Sequence, residues 1–252
     1  MSTTNSLHEQ LHEAVVAAAR GVDLHLHFIR HAETKFNTQH LLQGWSDSAV
    51  TELGAQQIDA LSRAFHDVEL DFVYSSDLPR TRTTTAGLTL PHPEVTVEFR
   101  EALREWNFGA HEERPAVEIY RKLIESRGLE VDDSLSSMQQ LAAGLHTDDI
   151  FDAIAEVDES GTSERAQIAM VRISSILQEI LRESKSLEAR NGRTPRIAVV
   201  SHGGVIPTMV RQLVPSASPE ALLPNCSVTT VQISDGTITL EGMGVPPESF
   251  SL

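Results

Sequence analysis

Residues Phe28-Ile29-Arg30-His31-Ala32-Glu33-Thr34 follow the alternating run Leu24-His25-Leu26-His27, so an Arg–His pair stands at the end of a predicted strand. Ligands of open α/β sheets bind beyond the carboxyl ends of the strands. An arginine next to a histidine there sets an anion clamp beside a nucleophile or base, which suits chemistry on a phosphate. The pattern recurs twice. Val199-Val200-Ser201-His202-Gly203-Gly204 reads as a strand ending in a second histidine, and Val73-Tyr74-Ser75-Ser76-Asp77-Leu78-Pro79-Arg80 as a strand leading to another arginine.

The elements that must position these residues alternate between strand and helix. Leu7, Leu11, Ala14, Val15 and Ala18 recur at helical spacing before Gly21, which predicts an N-terminal helix over residues 1–21, packed outside the sheet and closed by a glycine. A strand over Leu24–Ile29, a helix over Thr51–Phe65 with Thr51 as N-cap, and a strand over Leu70–Tyr74 form a βαβ unit. Further on, the pattern predicts a helix over Thr81–Leu88, a strand over Val95–Phe99 and a long helix over Thr162–Ser184. That helix offers Ile168, Val171, Ile176, Leu177, Ile180 and Leu181 to the core. A buried strand at Arg196–Val200, a helix at Val205–Leu213 and a hairpin turning at Asp235-Gly236 complete the chain. The expected fold is a three-layer α/β/α arrangement with a mostly parallel central sheet.

Between Glu112 and Gly161 the pattern changes to short helical pieces, read as a helical cap inserted in a domain spanning 22–252. No Lys or Arg occurs between Arg127 and Arg165, while Asp132, Asp133, Asp148, Asp149, Asp152, Glu156, Asp158 and Glu159 do. The alternative to a functional cap is a solvated acidic surface that serves solubility.

The 252 residues carry a formal charge of −16, which argues against a nucleic-acid partner because such proteins need clustered Lys and Arg. A phosphate site must then be a local basic island, built from Arg30, Arg80 and Arg104 if the fold brings them together. No apolar run reaches the ~20 residues of a membrane span, and the N-terminus does not read as a secretory signal, so a cytoplasmic protein without a membrane partner is expected. The single cysteine, Cys226, reads as a small buried residue. His8 and His12 are one helical turn apart, a spacing able to bind metal, but Glu9 and Glu13 beside them favour a solvated face. Asp23, His25 and His27 would share a strand face and form a weaker metal candidate.

Arg30-His31-Ala32-Glu33-Thr34, Gln43-Gly44-Trp45-Ser46-Asp47 with Leu53-Gly54, Ser75 to Arg80, Leu103 to Gly109 and Ser201 to Gly204 together resemble the histidine phosphatase superfamily, the phosphoglycerate-mutase-like family. The resemblance implies that His31 is the nucleophile and forms a phosphohistidine. Arg30, Arg80 and His202 would surround the phosphoryl group, and Glu105 would be general acid and then base, with its pKa raised. Asn37, Gln43, Gly44 and Gly203 fall at substrate-binding positions, and the backbone N–H groups of Gly203 and Gly204 offer a further anion site. Alignment on Ser75-Ser76-Asp77-Leu78 selects Arg80 over Arg82, and Glu105 is chosen over Glu101, Glu112 and Glu113. The resemblance implies no metal and no cofactor, since the arginines supply the positive charge. The implied partner is a small-molecule phosphate monoester, and a homodimer is left open.

The departures cluster near the substrate entrance. Ala32 stands where the family usually has glycine, Leu41 where an arginine is frequent, His111-Glu112-Glu113 replace an aromatic and a Glu-Gly pair, and Gly161-Thr162-Ser163 replace Gly-Glu-Ser. The leading expectation is a metal-independent phosphomonoesterase for a small phosphorylated metabolite. Phosphoglycerate mutase is the first alternative and a catalytically weak phospho-ligand-binding module the second. The acidic segment offers no extra cation for a substrate carboxylate, which favours the phosphatase, and its field should disfavour polyanionic substrates.

Overall fold

The computed structural model describes residues 3–132, 140–141, 145–217 and 223–251. Among them, six strands form one sheet: β1 (Leu24–Arg30), β2 (Phe72–Ser75), β3 (Thr96–Phe99), β4 (Arg196–Ser201), β5 (Val228–Ser234) and β6 (Thr237–Val245). Their order is β3-β2-β4-β1-β5-β6. The pairs β1–β4, β4–β2 and β2–β3 are parallel, while β5 is antiparallel to both β1 and β6. The predicted hairpin is present, with Asp235 and Gly236 at φ 46 and 77.

The helices are α1 (Thr3–Ala19), the short α2 (Lys35–Thr38), α3 (Glu52–Ala64), α4 (Pro79–Leu88), α5 (Ala116–Ser126), α6 (Thr147–Glu156), α7 (Ala166–Asn191) and α8 (Val205–Leu213). Thr51 caps α3 as expected, its hydroxyl accepting from the Gly54 N–H at 2.9 Å. Helices cover both faces of the sheet. On one, Leu24, Leu26, Phe28, Ile197 and Val199 pack with α1, α7 and α8; on the other, Ile29, Val73, Ala198 and Val200 meet Leu61 and Phe65 of the α3 region and Leu88 of α4.

The connections explain where the sheet opens. From β1 the chain runs through α3 to β2, beyond β4; from β4 it runs through α8 to β5, beyond β1. Two neighbouring strands whose connections leave in opposite directions create a crevice at their carboxyl ends. Arg30 and Ser201, the last residues of β1 and β4, pair in register at that edge.

Several sequence expectations need correction. Ile168 and Val171 are 60% and 45% exposed, and the buried face of α7 runs instead through Met170, Ile173, Ile176, Leu177, Ile180 and Leu181. That helix continues past Ser184 to Gly192, whose φ of 67 closes it. On α1, His8 and His12 are not on the solvated face: His8 is buried with Nε2 2.8 Å from Asp148, and His12 Nδ1 donates to the Gln212 carbonyl at 2.8 Å. Adjacent residues on a helix lie about 100° apart, so the exposed Glu9 and Glu13 say nothing about the histidines' face.

The segment 112–161 contains α5 and α6, and its acidic residues are less solvated than their number suggests. Asp148 is buried between His8 and Arg211, Asp152 binds Arg165 and the Ala166 N–H, and Asp158 accepts from Ser160, Thr162 and Ser163. Asp133 lies outside the described residues.

His25 and His27 lie two residues apart on β1, but among the described residues no cluster of three or more His, Cys, Asp or Glu is placed to hold an ion. The Asp23 carboxylate accepts instead from the Asp235 N–H. His27 is fully buried, bonded through Nδ1 to Thr230 Oγ1 at 3.1 Å and met edge-on by Phe65 and Phe250. Burial, reinforced by His25 and Arg196, lowers its pKa to about 3. The unfolded chain therefore takes up this proton near pH 6.5 and the folded chain only near 3, so stability falls as pH drops through that interval. His27→Gln should flatten the acid dependence of the urea-unfolding free energy between those pH values, removing up to about 1.4 kcal/mol per pH unit of slope. An unchanged slope would locate the acid sensitivity elsewhere.

Candidate active site

One residue past the end of β1, the chain is held from several sides. The His31 N–H donates to the Ser201 carbonyl at 3.0 Å, the Ala32 N–H to Thr84 Oγ1 at 3.0 Å, and Asn225 Nδ2 to the His31 carbonyl at 2.9 Å. The imidazole Nδ1 of His31 lies 2.8 Å from the Ala32 carbonyl oxygen. A carbonyl only accepts, so Nδ1 carries the proton and Nε2 the free lone pair. Burial holds the His31 pKa well below 6.5, and Arg80 and Arg30 push it in the same direction. The ring is therefore held neutral, with its Nε2 lone pair free of the carbonyl. The buried Ala32 methyl joins the apolar group on the α3 and α4 side of the sheet, with Ile29, Leu61 and Leu88, so the departure from glycine is accommodated.

Arg80, the second residue of α4, is buried and draws distant segments together. Nη2 donates to the Gly44 carbonyl at 2.7 Å, and Nη1 to the Ser46 carbonyl at 3.0 Å and Asp47 Oδ1 at 3.1 Å. Nη2 also lies 3.0 Å from His202 Nδ1. Since arginine can only donate, His202 keeps its proton on Nε2 and passes it to Ser76 Oγ at 2.9 Å. The His202 pKa is held well below 6.5 by burial, with Arg80 and His31 adding to the effect. The two imidazole rings stand 5.2 Å apart.

Arg30 packs against Gly203, where an added Cβ would lie 3.2 Å from its Nε, and Nη1 donates to the Leu223 carbonyl. The Nε atoms of both Arg30 and Arg80 are buried and without a partner among the described residues. An unpaired buried N–H costs about 1–3 kcal/mol, so two in one crevice mark a place for anionic oxygens.

Glu105 lies in the same crevice. Its Oε2 accepts from the Gly204 N–H at 2.9 Å and Oε1 from the Trp106 N–H at 3.1 Å. Burial raises its pKa in spite of those two hydrogen bonds and the nearby Arg80 and Arg30. A carboxylic acid that keeps its proton towards neutrality can protonate a leaving oxygen. The Gly204 N–H serves this carboxyl and not an incoming anion, which corrects half of the anion site expected from the paired glycines.

The remaining expected residues divide between the crevice and its supports. Gln43 is buried, its Oε1 accepting from Thr34 Oγ1 at 2.7 Å and its Nε2 donating to Ser48 Oγ at 3.2 Å. Asn37 Oδ1 accepts from the Thr34 N–H at 3.1 Å and from Asn225 Nδ2 at 3.3 Å. Both side chains therefore shape the loop after His31. Gly44 has no room for a side chain, because a Cβ would come within 2.0 Å of the Trp106 carbonyl and 2.4 Å of Glu112 Oε1. Leu41 makes an isolated bridge to Pro115. Arg104 does not join the basic island: Nε and Nη2 bind the Asp77 carboxylate at 2.7 and 2.6 Å, and the guanidinium lies over Trp45. Arg82 points outward over the Phe99 ring, 3.9 Å from its centre.

Two supports escaped the sequence reading. Glu112 accepts from the N–H groups of Gly44, Trp45, Ser46 and Phe108 and from the Ser46 hydroxyl, so one carboxylate fixes the loop whose carbonyls hold Arg80. Arg172 on α7 donates to the carbonyls of Ala102, Arg104 and Glu105 and is neutralised by Glu164. Neither carries a strong local signal, because most of their partners lie 66–70 residues away in the chain.

With this arrangement in place, the sequence comparisons agree. The chain belongs to the histidine phosphatase superfamily (branch 1), whose family model matches residues 26–143 and 139–246. It is an enzyme of the phosphoglycerate-mutase-like kind. It is 29% identical over 211 residues to "Probable phosphoglycerate mutase GpmB" of Erwinia tasmaniensis, covering 82% of this chain and 84% of that protein. It is 27% identical over 205 residues to the fructose-2,6-bisphosphatase TIGAR of Bos taurus, covering 72% and 73%. The crystal structure of a phosphoglycerate mutase from Bacillus anthracis superposes with a TM-score of 0.79 at 26% identity, over 92% of this chain and 97% of that one.

The dependence of the 44–46 loop on one carboxylate is testable. Glu112→Ala should lower the urea-unfolding free energy by about 1–3 kcal/mol by stranding its N–H donors, whereas Glu113→Ala, at an exposed position, should stay within about 0.5 kcal/mol. Equal effects would remove Glu112 from its supporting role.

Proposed function

We propose that the chain is a metal-independent phosphomonoesterase that acts on a small phosphorylated metabolite through a phosphohistidine. The observation that carries this reading is the tautomer of His31: Nδ1–H is committed to the Ala32 carbonyl and the free Nε2 lone pair shares the crevice with Arg80, Arg30 and Glu105. Nε2 attacks phosphorus as the bond to the ester oxygen breaks, and the Glu105 proton passes to that oxygen. The phosphoimidazolium keeps its Nδ1–H on the carbonyl, which stabilises its charge. Water then attacks phosphorus, Glu105 accepts its proton, and the N–P bond breaks to release phosphate and restore His31. The buried guanidinium groups hold the equatorial oxygens throughout.

A mutase is the second reading, favoured by the Erwinia relative and the Bacillus structure. It must retain the phosphoryl group and hold a substrate carboxylate. Arg104 and Arg172, two cations near the Glu105 loop, are already matched by Asp77 and Glu164, which supports the hydrolase.

Hydrolysis of an aryl phosphate should persist with chelator present and fall at least ~10³-fold in His31→Ala, and enzyme quenched in alkaline denaturant, where a phosphohistidine survives, should carry label on His31. Efficient isomerisation of 3-phosphoglycerate without hydrolysis would establish the mutase; label retained on His31 without turnover would establish a binding module. Glu105→Gln should lower turnover of an alkyl phosphate ~10²–10⁴-fold and of an aryl phosphate less, since phenolate leaves without a proton. The acidic 112–161 segment should also make a monophosphate a better substrate than its matched bisphosphate at physiological salt; the reverse order in kcat/KM would refute that preference.

A further inference from the structure

Gly204 opens α8 at φ −91 and ψ −35, a conformation open to any residue, so its backbone does not require glycine. Space does. A Cβ built there would fall 2.3 Å from Phe151 Cε2 and 2.8 Å from Glu105 Oε1, so the ring edge and the carboxyl converge over the bare Cα. Phe151 belongs to α6, in the segment between Glu112 and Gly161, and is buried. Trp106 and Phe108 meet its ring edge-on, each at 5.2 Å between centres, and anchor it from the strand of chain that carries Glu105.

We propose that Phe151 is a positioning residue that keeps water off the Glu105 carboxyl and thereby lets it serve as proton donor near neutral pH. The proposal rests on the phosphoryl-transfer reading above and assigns part of that chemistry to the acidic segment. Every hydrogen bond made to Glu105 favours its charged form, as do Arg30 and Arg80, yet burial prevails and the acid is weakened. The Phe151 ring edge is an apolar group that shares with that carboxyl the space over the Gly204 Cα. Tyr120 of α5 also feels Glu105; its own phenol is pushed up by burial and then by the Glu105 charge. Among the described residues, further charged or titratable groups near the pair are His31, His202, Arg172, which is bound to the Glu105 carbonyl, and Glu112, whose carboxylate is engaged by the 44–46 loop and the Phe108 N–H. On α6 itself, Asp148 is matched by His8 and Arg211 and Asp152 by Arg165, so these carboxylates do not account for the weakened acid.

The test is carboxyl NMR of the full chain labelled with ¹³C-glutamate, with Glu105 assigned by its loss in Glu105→Gln. In the unaltered chain Glu105 should titrate above the ordinary range; a midpoint near ~4.3 overturns the proposal. Phe151→Ala should lower the midpoint by about one pH unit or more, and Phe151→Leu, which still excludes water, by less than ~0.3. Should the alanine variant not fold, valine must lower the midpoint more than leucine does; equal midpoints across the series overturn the proposal. The alkaline limb of alkyl-phosphate hydrolysis should move with the NMR midpoint. A midpoint that falls along the series in a chain with no phosphatase activity refutes the function and leaves the role of Phe151 standing. Hydrolysis whose limb depends on Glu105 but ignores Phe151 refutes the role alone.

Discussion

The guanidinium of Arg80 is the constraint on which the crevice depends. A buried charge costs a great deal unless it is paired, and the two terminal nitrogens of this one are met by carbonyls of Gly44 and Ser46, the Asp47 carboxylate and the His202 imidazole, which leaves only Nε unmatched. Those partners come from a loop and from the end of a strand more than a hundred residues later. The same contacts fix the tautomer of His202, and through it the hydroxyl of Ser76 at the end of β2. One cation therefore sets the relative positions of three chain segments before any ligand is present, which is the preorganisation that electrostatic catalysis requires.

Around that cation, neutral and charged groups are kept in opposite states by the same burial. Desolvation holds His31 and His202 well below their ordinary pKa and shifts Glu105 upward, while the arginines stay charged because guanidinium does not give up its proton in proteins. Neutral imidazoles, a carboxyl shifted towards its neutral form and a cationic clamp thus coexist within one buried crevice. The parallel core of the sheet supplies the geometry: strands β1, β2 and β4 end together, and each delivers one polar residue to the same edge.

The local grammar of the chain made the fold readable. Alternating apolar runs located β1, β4 and the closing hairpin, Thr51 marked the start of α3, and the residues at the strand ends pointed to the crevice. What stayed hidden was decided by distant partners. Glu112 looked like one acid among several, yet it holds a loop 66–68 residues away; Arg104 looked available for phosphate, yet Asp77 claims it. His8 and His12 were misplaced because neighbours in sequence are not neighbours on a helix face. Asn37 and Gln43 were found by their positions, but their role in shaping the loop emerges only from the hydrogen bonds that consume their amides.

The unmatched Nε–H groups of Arg30 and Arg80 also bear on the end of a catalytic cycle. Donors that receive the oxygens of a phosphate ester receive those of inorganic phosphate equally well, because the two share the part of the molecule that the arginines contact. In a hydrolase of this design, the released product is a competitor for the site that made it. Phosphate bound there would stabilise the folded chain by RT ln(1 + c/Kd), with c the free phosphate concentration, and, by the same binding, restrain net flux. In such a hydrolase the phosphate level of the surrounding solution would act as an input at the catalytic crevice itself.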